Sequence, residues 1–135
     1  MSALSLEDRR ALDDLLITYC AVIDARDDAD AAAEFFTDDG VMDNRSLGSP
    51  LIEGRAAVAE TIAAMFASMA VLEHFLSNFR VLDASGDTAS VEAYVQAFGT
   101  PNGGDGFGMR GAYRMDARRI GGSWKIARLT FRVFG

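Results

Sequence analysis

Apolar residues recur along the first stretch at Leu12, Leu15, Leu16, Tyr19, Cys20 and Ile23, a spacing that predicts a helix with one buried face. Ser5 is a good N-cap for it, with Asp8 three residues on in the capping-box position. Asp24 directly follows Ile23, one residue off the apolar stripe, where a carboxylate needs a reason to be. Arg26 to Asp30 reads as a solvated turn. Ala31 to Phe36 predicts a short second helix, stopped by Thr37-Asp38-Asp39-Gly40. Val41 to Asn44 reads as a short strand, followed by an irregular loop through Pro50. Gly54 to Ala70 predicts a third helix, with Val58, Ile62, Met65, Phe66 and Met69 along one face.

The period then shifts from near 3.6 to near 2. His74 to Leu82 predicts a strand, and Ala84 to Asp87 a tight turn. Thr88 to Phe98 alternates Ala89, Val91, Ala93, Val95 and Ala97 with Ser90, Glu92, Tyr94 and Gln96. A glycine-rich loop over Gly99 to Gly106 leads to strands over Phe107 to Ile120 and Trp124 to Phe134, joined at Gly121-Gly122. Helices first and strands afterwards predict an α+β fold, one sheet with helices on one face. Neither a repeat nor a linker interrupts residues 1–135, so one domain is expected. Polar residues on both strand faces suit a curved sheet around a partly polar pocket.

Charge narrows the partners. A net charge of −7 argues against nucleic acid and anionic membrane. No window reaches the ~20 apolar residues of a membrane span. The polar, acidic start and the lone cysteine, Cys20, lead to an expectation of a reducing cytoplasm. Asn44-Arg45-Ser46 matches a glycosylation sequon, which without a secretion signal reads as accidental.

His74 is the single histidine. Imidazole titrates near neutrality and is the usual general base, and a carboxylate beside it fixes its tautomer and stabilises the imidazolium. Spacing alone fits a structural histidine bonded to the helix-end carboxylate of Asp24 at least as well. Asn78, four residues beyond His74 on the same strand face, reads as a group for a substrate oxygen or for backbone at a bulge. Tyr19 sits on the helix stripe, a core position with its hydroxyl at a pocket edge. Tyr94 and Tyr113 are strand tyrosines, Tyr113 the better pocket hydroxyl. Arg128 reads as an anion-binding group or as a solvated or interface arginine. Met65 and Phe66 would make adaptable apolar walls, although helical spacing makes them core first.

Sharper motifs fail. Gly106 to Gly111 spells G-x-G-x-x-G but leads into strand alternation, so it is no dinucleotide site. One histidine and one cysteine make no metal set, and neither a metal nor another cofactor is expected. The clusters Asp27-Asp28-Asp30 and Asp38-Asp39 lie at helix ends, where capping explains them.

Taken together, LLITYCAVIDARD, AEFFTDDGVMD, GRAAVAETIAAMF, EHFLSNFRVLDASGDTASVEAYV and YRMDARRIGGSWKIARL resemble the SnoaL-like branch of the NTF2-like superfamily. The resemblance implies a cone-shaped α+β barrel, three N-terminal helices packed on a strongly curved, mostly antiparallel sheet enclosing a pocket. It also implies a homo-oligomer, a dimer or sometimes a trimer. Scytalone dehydratases and hexachlorocyclohexane dehydrochlorinases in this superfamily use an Asp–His pair, and Asp24 and His74 match its positions. The dehydratase's second pocket histidine has no counterpart, since the Phe98-Gly99 region stands there. Asn44 stands where it has a tyrosine, and Arg128 lies close to a basic pocket residue of the dehydrochlorinases. The resemblance implies a cofactor-independent lyase or isomerase, dehydratase- or cyclase-like, acting on a small, mostly apolar substrate through His74 and Asp24. The alternative is a non-catalytic module binding a small molecule or a partner.

Overall fold

A computed structural model describes residues 4–135. Helix α1 (Leu6–Ala25) starts as its sequence predicts, because the Ser5 hydroxyl accepts the Asp8 N–H at 3.0 Å. Asp8 does not complete a capping box. Its carboxylate instead accepts from Trp124 Nε1 at 3.2 Å and Arg119 Nη2 at 3.0 Å, and these contacts hold its carboxyl below the ordinary range. The stripe Leu12, Leu15, Leu16, Tyr19, Cys20 and Ile23 is buried throughout. Arg26 ends the helix in the left-handed region at φ 54°, its N–H on the Ile23 carbonyl.

Helix α2 spans Ala29–Ala33, so the expected helix over Ala31 to Phe36 is displaced towards the N-terminus. Asp28 sets the shift by capping the Ala31 N–H at 3.0 Å. Phe36 belongs to strand β1 (Phe36–Asp43), fully buried opposite Ile126. The Thr37-Asp38-Asp39-Gly40 stretch, expected as a stop, is an irregularity inside that strand. Thr37 Oγ1 donates to Asp39 at 2.9 Å, and a Cβ at Gly40 would lie 2.9 Å from that of Phe36. A 3₁₀ turn (Arg45–Leu47) and strand β2 (Ile52–Glu53) precede helix α3 (Arg55–Ser68).

Four long strands follow: β3 (Met69–Ser85), β4 (Thr88–Pro101), β5 (Phe107–Ile120) and β6 (Ser123–Val133). Strands β3 and β4 outrun their predicted limits because Leu72 pairs with Gly99 and Met69 with Pro101, so the ladder continues through the glycine. The sheet order is β2-β1-β6-β5-β4-β3, antiparallel except where β1 runs parallel to β6. The α+β arrangement is the expected one, but the sheet stays open rather than closing as a barrel. Its edges are β3 and the two-residue β2, too short a partner for closure.

Curvature has identifiable causes. Register breaks fall between Ser77 and Arg80 and between Val81 and Asp83 in β3, and at Ala127 in β6, opposite Asp116 and Ala117. Bulges of this kind bend a strand and increase its twist. At Gly111 the chains come so close that a Cβ would collide with the Arg132 carbonyl and lie 2.6 Å from the Phe131 ring. The concave face buries Val91, Ala93, Met115, Ile126 and Leu129 against the α1 stripe and against Val58 and Ile62 of α3. Among the described residues, no helix is long and apolar enough to cross a membrane.

Candidate active site

Strand alternation puts His74 on the concave face with Leu72 and Leu76, and the end of α1 brings Asp24 to it. A carboxylate at a helix C-terminus faces the negative end of the helix dipole, so it needs compensating donors. It has two from one residue. Asp24 Oδ2 accepts the His74 backbone N–H at 2.9 Å, and Oδ1 lies 2.6 Å from His74 Nδ1. A carboxylate only accepts, so in the neutral ring Nδ1 carries the proton and Nε2 is the nitrogen with the lone pair. The Arg26 guanidinium donates to the Met69 carbonyl at 2.7 Å, tying the end of α1 to the start of the strand that carries His74.

Small residues on β4 open the space in front of the imidazole. Ala97 lies opposite His74 and Ala93 opposite Tyr113, so the two rings approach each other over a strand of short side chains. They stand 6.4 Å apart at 23°. The resulting cavity measures about 150 Å³. On the sheet it is lined by Leu72, His74, Ala97, Phe98, Gly99, Met109 and Tyr113, with Phe107 and Phe131 beside them. Asn44, Leu47 and Met65 form its roof. An apolar cavity of roughly this size takes a single benzene-sized ring, whereas drug-sized ligands occupy roughly 300–1,000 Å³. Burial pushes the Tyr113 hydroxyl well above its ordinary pKa, so the phenol stays protonated and is a donor.

The roof is pinned to β6. Buried Asp43 accepts from Arg45 Nε at 2.9 Å through Oδ1, and from Arg45 Nη2 at 2.9 Å and Arg128 Nη2 at 2.6 Å through Oδ2. Ser46 Oγ donates to the Phe131 carbonyl at 2.6 Å. Asn44 makes no side-chain capping bond, so its amide is left to the cavity. The Arg45 hydrogen bonds, followed by that from Arg128, hold the Asp43 carboxyl far below the ordinary range despite its burial. A depressed carboxyl pKa contributes stability that is fully present above the unfolded value of about 3.9 and is lost as pH falls from there through the folded value. Asp43→Asn is therefore expected to cost roughly 2 kcal/mol at pH 7. It should also flatten the fall of the urea midpoint below about pH 4. Equal pH slopes in wild type and variant would sink this account.

Of the residues singled out in the sequence, His74, Asn44, Tyr113 and Met65 line the cavity, and Asp24 stands behind His74. Four others lie elsewhere. Tyr19 is core, edge-on to Phe35 and Phe36 with centroids 6.3 and 5.5 Å away, because the α1 stripe packs beneath the sheet. Phe66 packs against the core from α3, away from the cavity lining. Asn78 is exposed at φ 56° in the β3 bulge, which breaks the two-residue alternation and turns it towards Arg80 and Tyr94 on the convex face. Arg128 pairs with Asp116 across the sheet and with Asp43, also away from the cavity.

Sequence reading missed Leu47, Leu72, Ala97, Phe107, Met109 and Phe131, and named the Phe98-Gly99 region only as a departure from the dehydratase. Leu72 was within reach, two residues before His74 on one strand. Leu47 sits in the 3₁₀ turn, and the others needed the cross-strand register. A wider groove of about 660 Å³ lies between α1 and the β5–β6 hairpin. Its Asp8, Arg119 and Trp124 are bonded to one another and fasten the helix to the hairpin. Among the described residues, no three His, Cys, Asp or Glu side chains cluster as metal ligands would.

Comparison with known proteins gives a match to the SnoaL-like domain over residues 4–130. The solved structure of a proposed aromatic ring hydroxylase from Novosphingobium aromaticivorans superposes with a TM-score of 0.95 at 35% identity, over 98% of this chain and 93% of that one. A proposed scytalone dehydratase from the same organism superposes with a TM-score of 0.85 at 21% identity, over 96% and 86% of the two chains, a likeness of fold. An uncharacterized protein of Mycobacterium tuberculosis is 36% identical over 93 residues, 67% of this chain, and the match spans 59% of that relative's length.

Proposed function

The chain belongs to the SnoaL-like domain family, and from that premise we propose that it is a cofactor-independent lyase or isomerase using His74 as general base and Asp24 as its orienting partner. The observation that carries this reading is the 2.6 Å contact between Asp24 Oδ1 and His74 Nδ1 at the wall of a cavity. Nε2 takes a proton from carbon next to a carbonyl, while Asp24 stabilises the imidazolium that forms. The same imidazolium then returns the proton, to another carbon in an isomerisation or to a departing hydroxyl in a dehydration. One histidine serves both steps. The reaction needs a base, its carboxylate and an electrophile for the oxygen, all of which the side chains supply.

The cavity volume and lining favour a monocyclic, mostly apolar substrate. The name of the 35%-identical relative, which refers to an aromatic ring, is in keeping with that size. The test follows α-hydrogen exchange of monocyclic ketones in deuterated buffer by mass spectrometry. Saturable exchange is the expected result. Ketones that bind without exchanging would leave a non-catalytic binding module instead. The close Asp24–His74 contact speaks against that second reading, which has no use for an oriented base.

We further propose a homo-oligomer. The convex sheet face exposes Phe75, Tyr94 and Phe98, with Phe75 edge-on to Phe98 and Tyr94 edge-on to Phe134, apolar groups of the kind that mark contact surfaces. Light scattering after size exclusion is expected to give a multiple of the chain mass, and Phe75→Asp the single-chain mass. A monomeric wild type would end this proposal.

A further inference from the structure

We propose that Tyr113 is the hydrogen-bond donor to the substrate oxygen, and that the cavity selects neutral carbonyl compounds and excludes carboxylates. This rests on the lyase or isomerase reading of the same cavity and adds its electrophile and its substrate charge. Three side chains bring polar atoms to the lining: His74, Tyr113 and Asn44. None is a fixed cation. The arginines that could have served are committed elsewhere. Arg128 is held by Asp43 and Arg55 by the Phe36 carbonyl and Asp38, while Arg26 donates to the Met69 carbonyl and does not line the cavity. A carboxylate entering the cavity would lose its hydration against an apolar wall, with the Asp24 charge directly behind His74. A neutral carbonyl meets neither cost.

Geometry assigns the donor. The His74 and Tyr113 rings face each other at 23° across the alanines of β4, so a flat ring seated in the cavity has the base on one strand and the phenol two strands away. As Nε2 bonds to the α-proton, the C–H pair becomes the new C=C bond. The carbonyl π pair moves to oxygen, which accepts the Tyr113 O–H more strongly as its charge develops. The tyrosine keeps its proton throughout, as its burial favours. Imidazolium and enolate form together, so the net charge of the cavity does not change.

Cyclohexanone and benzoate are the probes, titrated against wild type and Tyr113→Phe. Wild type is expected to bind cyclohexanone and to lower its infrared carbonyl stretch, with benzoate at least about 10-fold weaker. Tyr113→Phe should lose most of the stretch shift and about 10-fold in affinity, a factor of the size expected for one hydrogen bond to a buried oxygen. Its thermal midpoint tests that the fold is kept, and the stretch is a readout that a purely structural tyrosine would not move. Failure of cyclohexanone to bind, an undiminished shift in Tyr113→Phe, or benzoate binding as tightly as the ketone each overturns the proposal. A Tyr113-dependent shift without α-exchange in wild type would leave the donor standing and remove the catalytic reading. Exchange that depends on His74 but not on Tyr113 would do the reverse.

Discussion

His74→Ala is expected to slow α-hydrogen exchange of any ketone the protein turns over by about 10²- to 10⁴-fold, the usual contribution of a positioned general base. The variant should fold. The residue 74 backbone N–H still reaches Asp24 Oδ2, and the lost ring stands at a cavity wall rather than in the packed core, where Leu12, Leu16 and Ile62 are fully buried. Its thermal midpoint should fall modestly, because Asp24 Oδ1 loses its partner but is part of a side chain 28% exposed to water. The space vacated beside a cavity of about 150 Å³ admits a free imidazole, so added imidazole should restore part of the rate. Undiminished exchange in His74→Ala, with the ketone still saturating, would show that the base is another group.

Legibility of the fold and of the site diverged for physical reasons. The α1 stripe, the N-cap at Ser5 and the strand alternation after Met69 are local patterns, and each was readable from neighbours a few residues apart. Thr37 to Gly40 was misread because turn-forming residues can also sit in an irregular strand when the ladder to β6 resumes at Val41. The Asp24–His74 contact joins residues 50 apart in sequence, and only family resemblance pointed to it beforehand. Asn78 and Arg128 failed for a more instructive reason. A single bulge reverses the faces of a strand, so counting by twos from His74 is valid only up to Ser77. Arg128 looked available because its partner, Asp43, lies on a distant stretch of chain. The walls contributed by Phe107, Met109 and Phe131 depend on register across three strands, which hydrophobic periodicity does not encode.

Asp24→Asn is the sharper test, because it alters the base without removing it. Asparagine is nearly isosteric, and its carbonyl oxygen can still accept the His74 backbone N–H as Oδ2 does at 2.9 Å. That leaves the NH₂ group facing Nδ1, where Oδ1 stood at 2.6 Å. Two donors cannot share a hydrogen bond, so Nδ1 must become the acceptor and the imidazole proton must move to Nε2. Nε2 then has no lone pair to offer. The opposite amide orientation satisfies Nδ1 but points NH₂ at a backbone N–H, leaving two donors in contact behind a half-buried helix end. The first arrangement predicts a loss of about 10³-fold or more in exchange, and the second a smaller loss because no negative charge stabilises the imidazolium; both leave ligand affinity nearly unchanged, since Asp24 does not line the cavity. Nitrogen-15 NMR of the single histidine separates tautomer from structure: the Nδ1–H form in wild type should give way to Nε2–H in the variant. If Asp24→Asn keeps both the Nδ1–H tautomer and the wild-type rate, the carboxylate is a fastening for α1 and nothing more. If the tautomer changes and the rate does not, His74 is not the base, whatever its position in the cavity.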